Sequence, residues 1–116
     1  MNIYNSIIQN NEATAEGGGI RLVKAVGTIE DSTIDNNQAG GSAGGMSIGD
    51  SDVTMKNTII SNNDAASNGA SYGGGLKIRG DSTTVTLRQS SFINNDATTQ
   101  GDEIYTELSP TISLIN

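Results

Sequence analysis

The sequence predicts an all-β fold, a right-handed parallel β-helix of about four coils with no distinct caps. Three observations predict it. Adjacent asparagines recur four times, as Asn10-Asn11, Asn36-Asn37, Asn62-Asn63 and Asn94-Asn95. Apolar residues stand at constant offsets from each pair and alternate with period two, the signature of strands with one buried face. A glycine-rich step then leads into another apolar residue in each of the first three copies, as in Gly18-Gly19-Ile20.

The unit reads in the same order every time. Met1, Gly27, Val53 and Val85 open it, and Ile3, Ile29, Met55 and Leu87 follow two residues on. Five residues later come Ile8, Ile34, Ile60 and Phe92, and three after those the second asparagines, Asn11, Asn37, Asn63 and Asn95. An acidic or amide residue is next (Glu12, Gln38, Asp64, Asp96), then alanine in every copy (Ala13, Ala39, Ala65, Ala97). The glycine steps end in Gly19-Ile20, Gly45-Met46 and Gly75-Leu76, and the fourth copy degenerates to Gly101-Asp102-Glu103-Ile104. The repeats span about 1–26, 27–52, 53–84 and 85–111, and 112–116 matches the opening strand of a fifth coil.

Each unit predicts two or three short strands and no helix, because no stretch shows the three-four spacing of an amphipathic helix. Such a unit buries its inner face only by stacking on its neighbours, each coil ~4.8 Å above the last. Parallel crossovers are overwhelmingly right-handed, which sets the expected hand. The asparagine pairs should turn the chain between sheets, since asparagine tolerates the left-handed conformation. Their side chains should also bond from coil to coil, as in cross-β ladders. The glycines let the chain re-enter the wall, and Ala65 to Tyr72 should form an outward loop. The absence of a visible cap predicts a segment of a longer array, or one that stacks end to end.

Composition narrows function. The chain has neither cysteine nor histidine, which excludes a thiolate zinc site, an imidazole base and a histidine-containing triad. A net charge of −7 argues against nucleic acid, whose binding rests on Lys and Arg meeting phosphate. No apolar run approaches a membrane span, and residues 1–20 do not read as a secretory signal.

The repeat resembles that of bacterial right-handed β-helix surface proteins, including the polymorphic outer-membrane proteins. That family carries a GGA-plus-aliphatic motif and an FxxN motif in each coil. Phe92-Ile93-Asn94-Asn95 fits FxxN as it stands, and the other copies fit with Ile8, Ile34 and Ile60 in place of Phe. Gly19, Gly45 and Gly75 replace the alanine of the glycine motif. The resemblance covers the whole chain. It implies a secreted or surface-anchored adhesin, outside the cell or on its surface. Others of the fold are polysaccharide lyases, hydrolases or carbohydrate-binding modules, and a shared fold does not transfer an activity.

Candidate chemistry is sparse. The turn Asp50-Ser51-Asp52 and the column holding Asp64 are candidate ligands for Ca²⁺, which wants six to eight oxygens, although such residues also form ordinary solvated turns. Arg21, Lys77 and Arg79 should face outward on the glycine strand, where they could grip an acidic glycan or simply meet water. Arg79-Gly80-Asp81 is an RGD tripeptide in an expected turn. Thr33, Thr58 and Ser91 do not make the regular threonine ladder that an ice-binding face needs. The expected function is therefore a non-catalytic, surface-exposed adhesion or structural segment, with no catalytic residue assigned. The alternative is a carbohydrate-binding or lyase-like β-helix. Expected partners are a polysaccharide, a host-surface protein or a second copy.

Overall fold

The computed structural model describes residues 1–65 and 71–115. The chain winds as a parallel β-solenoid in which each turn contributes four strands. The first coil holds β1 (Asn2–Tyr4), β2 (Ile7–Gln9), β3 (Glu12–Ala13) and β4 (Ile20–Val23). The second holds β5 (Val26–Glu30), β6 (Thr33–Asp35), β7 (Gln38–Ala39) and β8 (Met46–Gly49). The third holds β9 (Asp52–Lys56), β10 (Ile59–Ser61), β11 (Asp64–Ala65) and β12 (Leu76–Arg79). The fourth holds β13 (Thr84–Arg88), β14 (Ser91–Ile93), β15 (Asp96–Ala97) and β16 (Ile104–Glu107), and β17 (Thr111–Ile115) begins another turn. Among the described residues there is no helix.

Four parallel sheets form the walls, in the orders β1-β5-β9-β13-β17, β2-β6-β10-β14, β3-β7-β11-β15 and β4-β8-β12-β16. We call these the first to fourth sheets. Four strands per coil exceed the two or three expected, because the third sheet's strands have only two residues, too few to show alternation. The registers follow the sequence columns. Ile3, Ile29, Met55 and Leu87 pair in the first sheet, and Ile8, Ile34, Ile60 and Phe92 in the second.

The core is a set of apolar columns stacked along the axis, two from each of the first and fourth sheets and one from the second, with the alanine column of the third. Ile29, Ile34, Met46, Ile48, Val53, Met55, Ile60, Leu76, Ile78 and Val85 are fully buried, and they lie in the two central coils or against them. Ile3, Ile20, Phe92, Ile104 and Ile112, in the outer coils, are only partly covered. Each coil is thus buried by its neighbours, as the repeat pattern requires.

Every corner is a left-handed residue. Asn5, Asp31, Asn57 and Gln89 turn the chain from first to second sheet, and Asn10, Asn36, Asn62 and Asn94 from second to third. Gly17, Ala43, Gly73 and Gly101 lead to the fourth sheet, and Lys24, Asp50, Gly80 and Leu108 lead back to the first. Asn fills every copy of the second corner and half of the first, because it adopts this conformation at lower cost than most non-glycine residues.

The two asparagines of each pair divide the work. The first is the left-handed corner; the second points inward and builds a ladder. Asn37 donates from its amide N and its Nδ2 to Asn63 Oδ1, at 2.9 and 3.0 Å, and Asn63 donates likewise to Asn95 Oδ1, at 3.0 and 2.9 Å. Asn11 donates to Asn37 Oδ1 in the same way. Each Nδ2 also reaches the carbonyl of the aliphatic column one coil back: Asn37 to Ile8, Asn63 to Ile34, Asn95 to Ile60. The aliphatic and asparagine positions are therefore coupled across coils. The glycine motif is coupled too. A Cβ at Gly45 would stand 2.9 Å from Asn63 Nδ2, and one at Gly75 would stand 2.9 Å from the Asn95 side-chain amide. Alanine does not fit where asparagine fills the next coil.

The expected outward loop at Ala65 to Tyr72 is narrower than that. Ala65 closes β11, Ser71 is buried, and Tyr72 bridges to Gln100. Positions 66–70 lie outside the described residues.

Candidate functional site

Outward side chains of the fourth sheet form the most chemically varied surface of the molecule. Arg21, Ser47, Lys77 and Tyr105 fall in one column across β4, β8, β12 and β16. Val23, Gly49, Arg79 and Glu107 fall in the next. The three cations named from sequence thus share one face, and they line a cleft of about 310 Å³ with Glu16, Ser47 and Asp50.

The corners before this column are tight. At Gly17, Gly73 and Gly101 a Cβ would lie 2.5, 2.7 and 2.7 Å from the carbonyl oxygens of Ile20, Leu76 and Ile104. These corners are left-handed, which favours glycine. The second coil carries Ala43 at that corner, also left-handed, before Ser47.

Lys77 departs from expectation. It lies on the outer face but is only 7% exposed. Its Nζ donates to Glu16 Oε1 at 2.6 Å and stands 3.8 Å from Glu107 Oε2. Glu16 belongs to the first coil and Lys77 to the third, so the ion pair crosses the second coil, over Ser47. Ser47 Oγ also donates to Glu16, at 3.4 Å. Burial pushes the Glu16 carboxyl up, but the hydrogen bond and charge of Lys77, with Arg21 beside it, outweigh burial. The net effect holds Glu16 below the ordinary carboxylate value.

Arg21 and Arg79 are exposed, and Arg79 Nε lies 3.4 Å from Glu107 Oε2. Arg79-Gly80-Asp81 does form the corner, with Asp81 Oδ1 accepting from the Ser109 amide at 3.0 Å. Beside the cations, Tyr72 and Tyr105 stack with ring centroids 4.7 Å apart. This pair was not legible in the sequence, where the two tyrosines sit in unlike contexts of adjacent repeats.

The acidic candidates separate into two places. Asp50 and Asp52 flank Ser51, whose Oγ is turned inward to donate to the Gly49 carbonyl and accept from the Ala25 amide. Asp50 Oδ1 accepts from Ser82 at 3.3 Å, and Asp52 is exposed on β9. Asp64 lies in the third sheet, in register with Gln38 and Asp96, and Gln38 with Glu12. Burial, then the charge of Asp96, pushes the Asp64 carboxyl up. Asp64 lines a second cleft, of about 290 Å³, otherwise walled mainly by corner and ladder asparagines. Among the described residues no three acidic groups converge in a way that would hold a metal ion.

A threonine column does exist, but not where it was sought. Thr58 is a buried corner residue, and Thr33 and Ser91 alternate with Ile7 and Ile59. The aligned hydroxyls are Thr28, Thr54, Thr86 and Ser113 on the first sheet. Glu30, Lys56 and Arg88 form the neighbouring outward column, so that face is charged as well as hydroxylated.

Comparison with known proteins supplies one match. A family model described as the right handed beta helix region fits residues 1–114. No curated protein and no solved structure matches the chain.

Proposed function

The chain belongs to the right-handed β-helix family, and from that premise we propose that it is a non-catalytic, surface-exposed repeat segment serving adhesion or structural support. The observation that carries this reading is the unbroken ladder from Asn11 through Asn37 and Asn63 to Asn95. It ties all four coils into one stack, alongside the backbone pairing of four sheets. Rigid solenoids offer reach and long lateral surfaces, which suits display away from a cell. The outer face of the fourth sheet is the surface through which such a segment would make contact.

A second reading, carbohydrate binding, draws on that same face. Stacked tyrosines present an apolar platform with polar tips, Arg79 stands in the next column one coil away, and Arg21 lies at the far end of the face, both with fork-shaped donors suited to carboxylates. A polysaccharide panel separates the readings, with and without calcium, scored for both binding and chain cleavage. The adhesion or structural reading expects a folded protein that leaves every glycan intact and binds none through this face. Saturable binding lost in Arg21→Ala or Tyr105→Ala would replace it with the carbohydrate reading, and cleavage would make the chain an enzyme.

A further inference from the structure

The fourth copy breaks the repeat at one point. Where the first three coils place two glycines after the left-handed corner, the fourth places Asp102 and Glu103. The glycines are imposed by the coil above them. A Cβ at Gly44 would lie 2.5 Å from the Asp64 backbone, and one at Gly75 would lie 2.9 Å from the Asn95 side chain. By the same geometry, side chains at 102 and 103 enter the volume that the corner of a further coil would fill.

We propose that Asp102 and Glu103 form a side-chain cap that stands in for that corner and closes the asparagine ladder. Glu103 Oε2 accepts from Asn95 Nδ2 at 2.5 Å. It does for Asn95 what Asn95 Oδ1 does for Asn63 at 2.9 Å. Asp102 Oδ1 accepts from the Ala97 amide at 3.2 Å, and Ala97 lies on β15, the edge strand of the third sheet. Amide donors that in the inner coils bond to the next coil are here satisfied from within their own coil.

The cap also decides what this end accepts. At the other end of the ladder the leading group is Asn11, with Glu12 beside it. A second copy could stack head to tail in register only by displacing β17 from β13, and it would then set the Glu103 carboxylate against Asn11 Oδ1, acceptor against acceptor. It would also bring Asp102 towards Glu12, charge against like charge. Charged groups on an unpaired edge are a general device against such stacking. Whatever sequence follows position 116, a further coil cannot present an asparagine to Asn95 while Glu103 holds its Nδ2.

Hydrogen exchange by NMR tests this on the full chain and on Glu103→Gly and Glu103→Gln, with sedimentation velocity alongside. In the parent protein the Asn95 side-chain amide should exchange within about threefold of that of Asn63, and the protein should sediment as a monomer. Glu103→Gln keeps an acceptor oxygen and should keep that protection. Glu103→Gly should speed exchange at Asn95 by about tenfold or more while Asn37 is unchanged. The proposal is overturned if Asn95 in the parent exchanges as fast as the exposed Asn94, a comparison that needs no variant to fold. Equal protection in the parent and in Glu103→Gly would overturn it, as would in-register stacks of the parent in solution.

Discussion

Replacing Asn63 with alanine tests the ladder where it is most deeply buried. Asn63 is 1% exposed. Its side chain donates to the Ile34 carbonyl and to Asn95 Oδ1, and its Oδ1 accepts from the amide N and Nδ2 of Asn37. Two of these partners keep another bond: Asn95 Oδ1 still receives the Asn63 backbone amide, and Asn37 Nδ2 still reaches the Ile8 carbonyl. The Asn37 amide loses the acceptor that served it, inside the wall, while the Ile34 carbonyl keeps its pairing within the second sheet. Stranding that amide costs about 1–3 kcal/mol, and the lost side-chain bonds and small void add to this, giving about 2–4 kcal/mol. That is a large share of the roughly 5–15 kcal/mol that holds a domain of this size folded. Asn62→Ala is the control. It removes an exposed hydrogen bond to Asp35 and puts alanine at φ 53°, a cost of about 1–2 kcal/mol. Urea unfolding should show the Asn63 midpoint falling much further, with m unchanged. A loss below about 1 kcal/mol for Asn63→Ala, or a greater loss for Asn62→Ala, would refute the ladder account.

Other consequences follow from neighbouring geometry. Gly45→Ala sets a Cβ 2.5 Å from the Gly75 carbonyl and should cost about 1–3 kcal/mol or more. Gly49→Ala, with its nearest atom at 3.9 Å, should be close to neutral in the same thermal melts. Glu16 has a carboxyl held low, so its contribution is present above the ordinary value of 4.5 and is lost as pH falls through its depressed value. Glu16→Gln should therefore flatten the acid limb of the stability profile below pH 4.5. Asp64 is raised from 3.8, the opposite sign: its ionisation above that range opposes folding. Asp64→Asn should raise the denaturation midpoint at pH 7, and an unchanged midpoint would count against the burial and the Asp96 repulsion that raise its carboxyl. Lys77→Met should release Glu16, and an NMR titration of Glu16 should then find its carboxyl higher than in the parent protein.

The fold was legible because repetition averages noise. A single Ile8-x-x-Asn11 says little; four in register, each with its alanine and glycine step, describe one environment sampled four times. What escaped was whatever occurs once or lies in the shortest elements. The third sheet's two-residue strands carry no period. Ser6, Ser32, Thr58 and Ser90 follow the first corner in every coil, and their hydroxyls bond nearby carbonyls. That column was readable in principle but overshadowed by the asparagines. At the site, the shared face of Arg21, Lys77 and Arg79 followed from register, since parallel pairing places equivalent residues side by side. The burial of Lys77 did not, because it depends on Glu16 reaching across two coils. The tyrosine stack depends in the same way on a residue just before the corner, Tyr72, meeting the outward column of the next coil. Glu103 read as decay of the motif because its partner, Asn95, lies within its own repeat.

The bond from Glu16 to Lys77 bears on how the rod comes apart. A stack in which each coil touches only the next behaves like a one-dimensional chain of spins, and its outermost unit frays independently of the rest. A contact that skips a unit breaks that rule. For the first coil to peel away, the ammonium of the third must lose its main counter-charge while its own coil is still in place. Fraying at this end is thereby linked to the third coil as well as to the second. Such a span gives a short solenoid a more all-or-none transition than its nearest-neighbour contacts alone would provide.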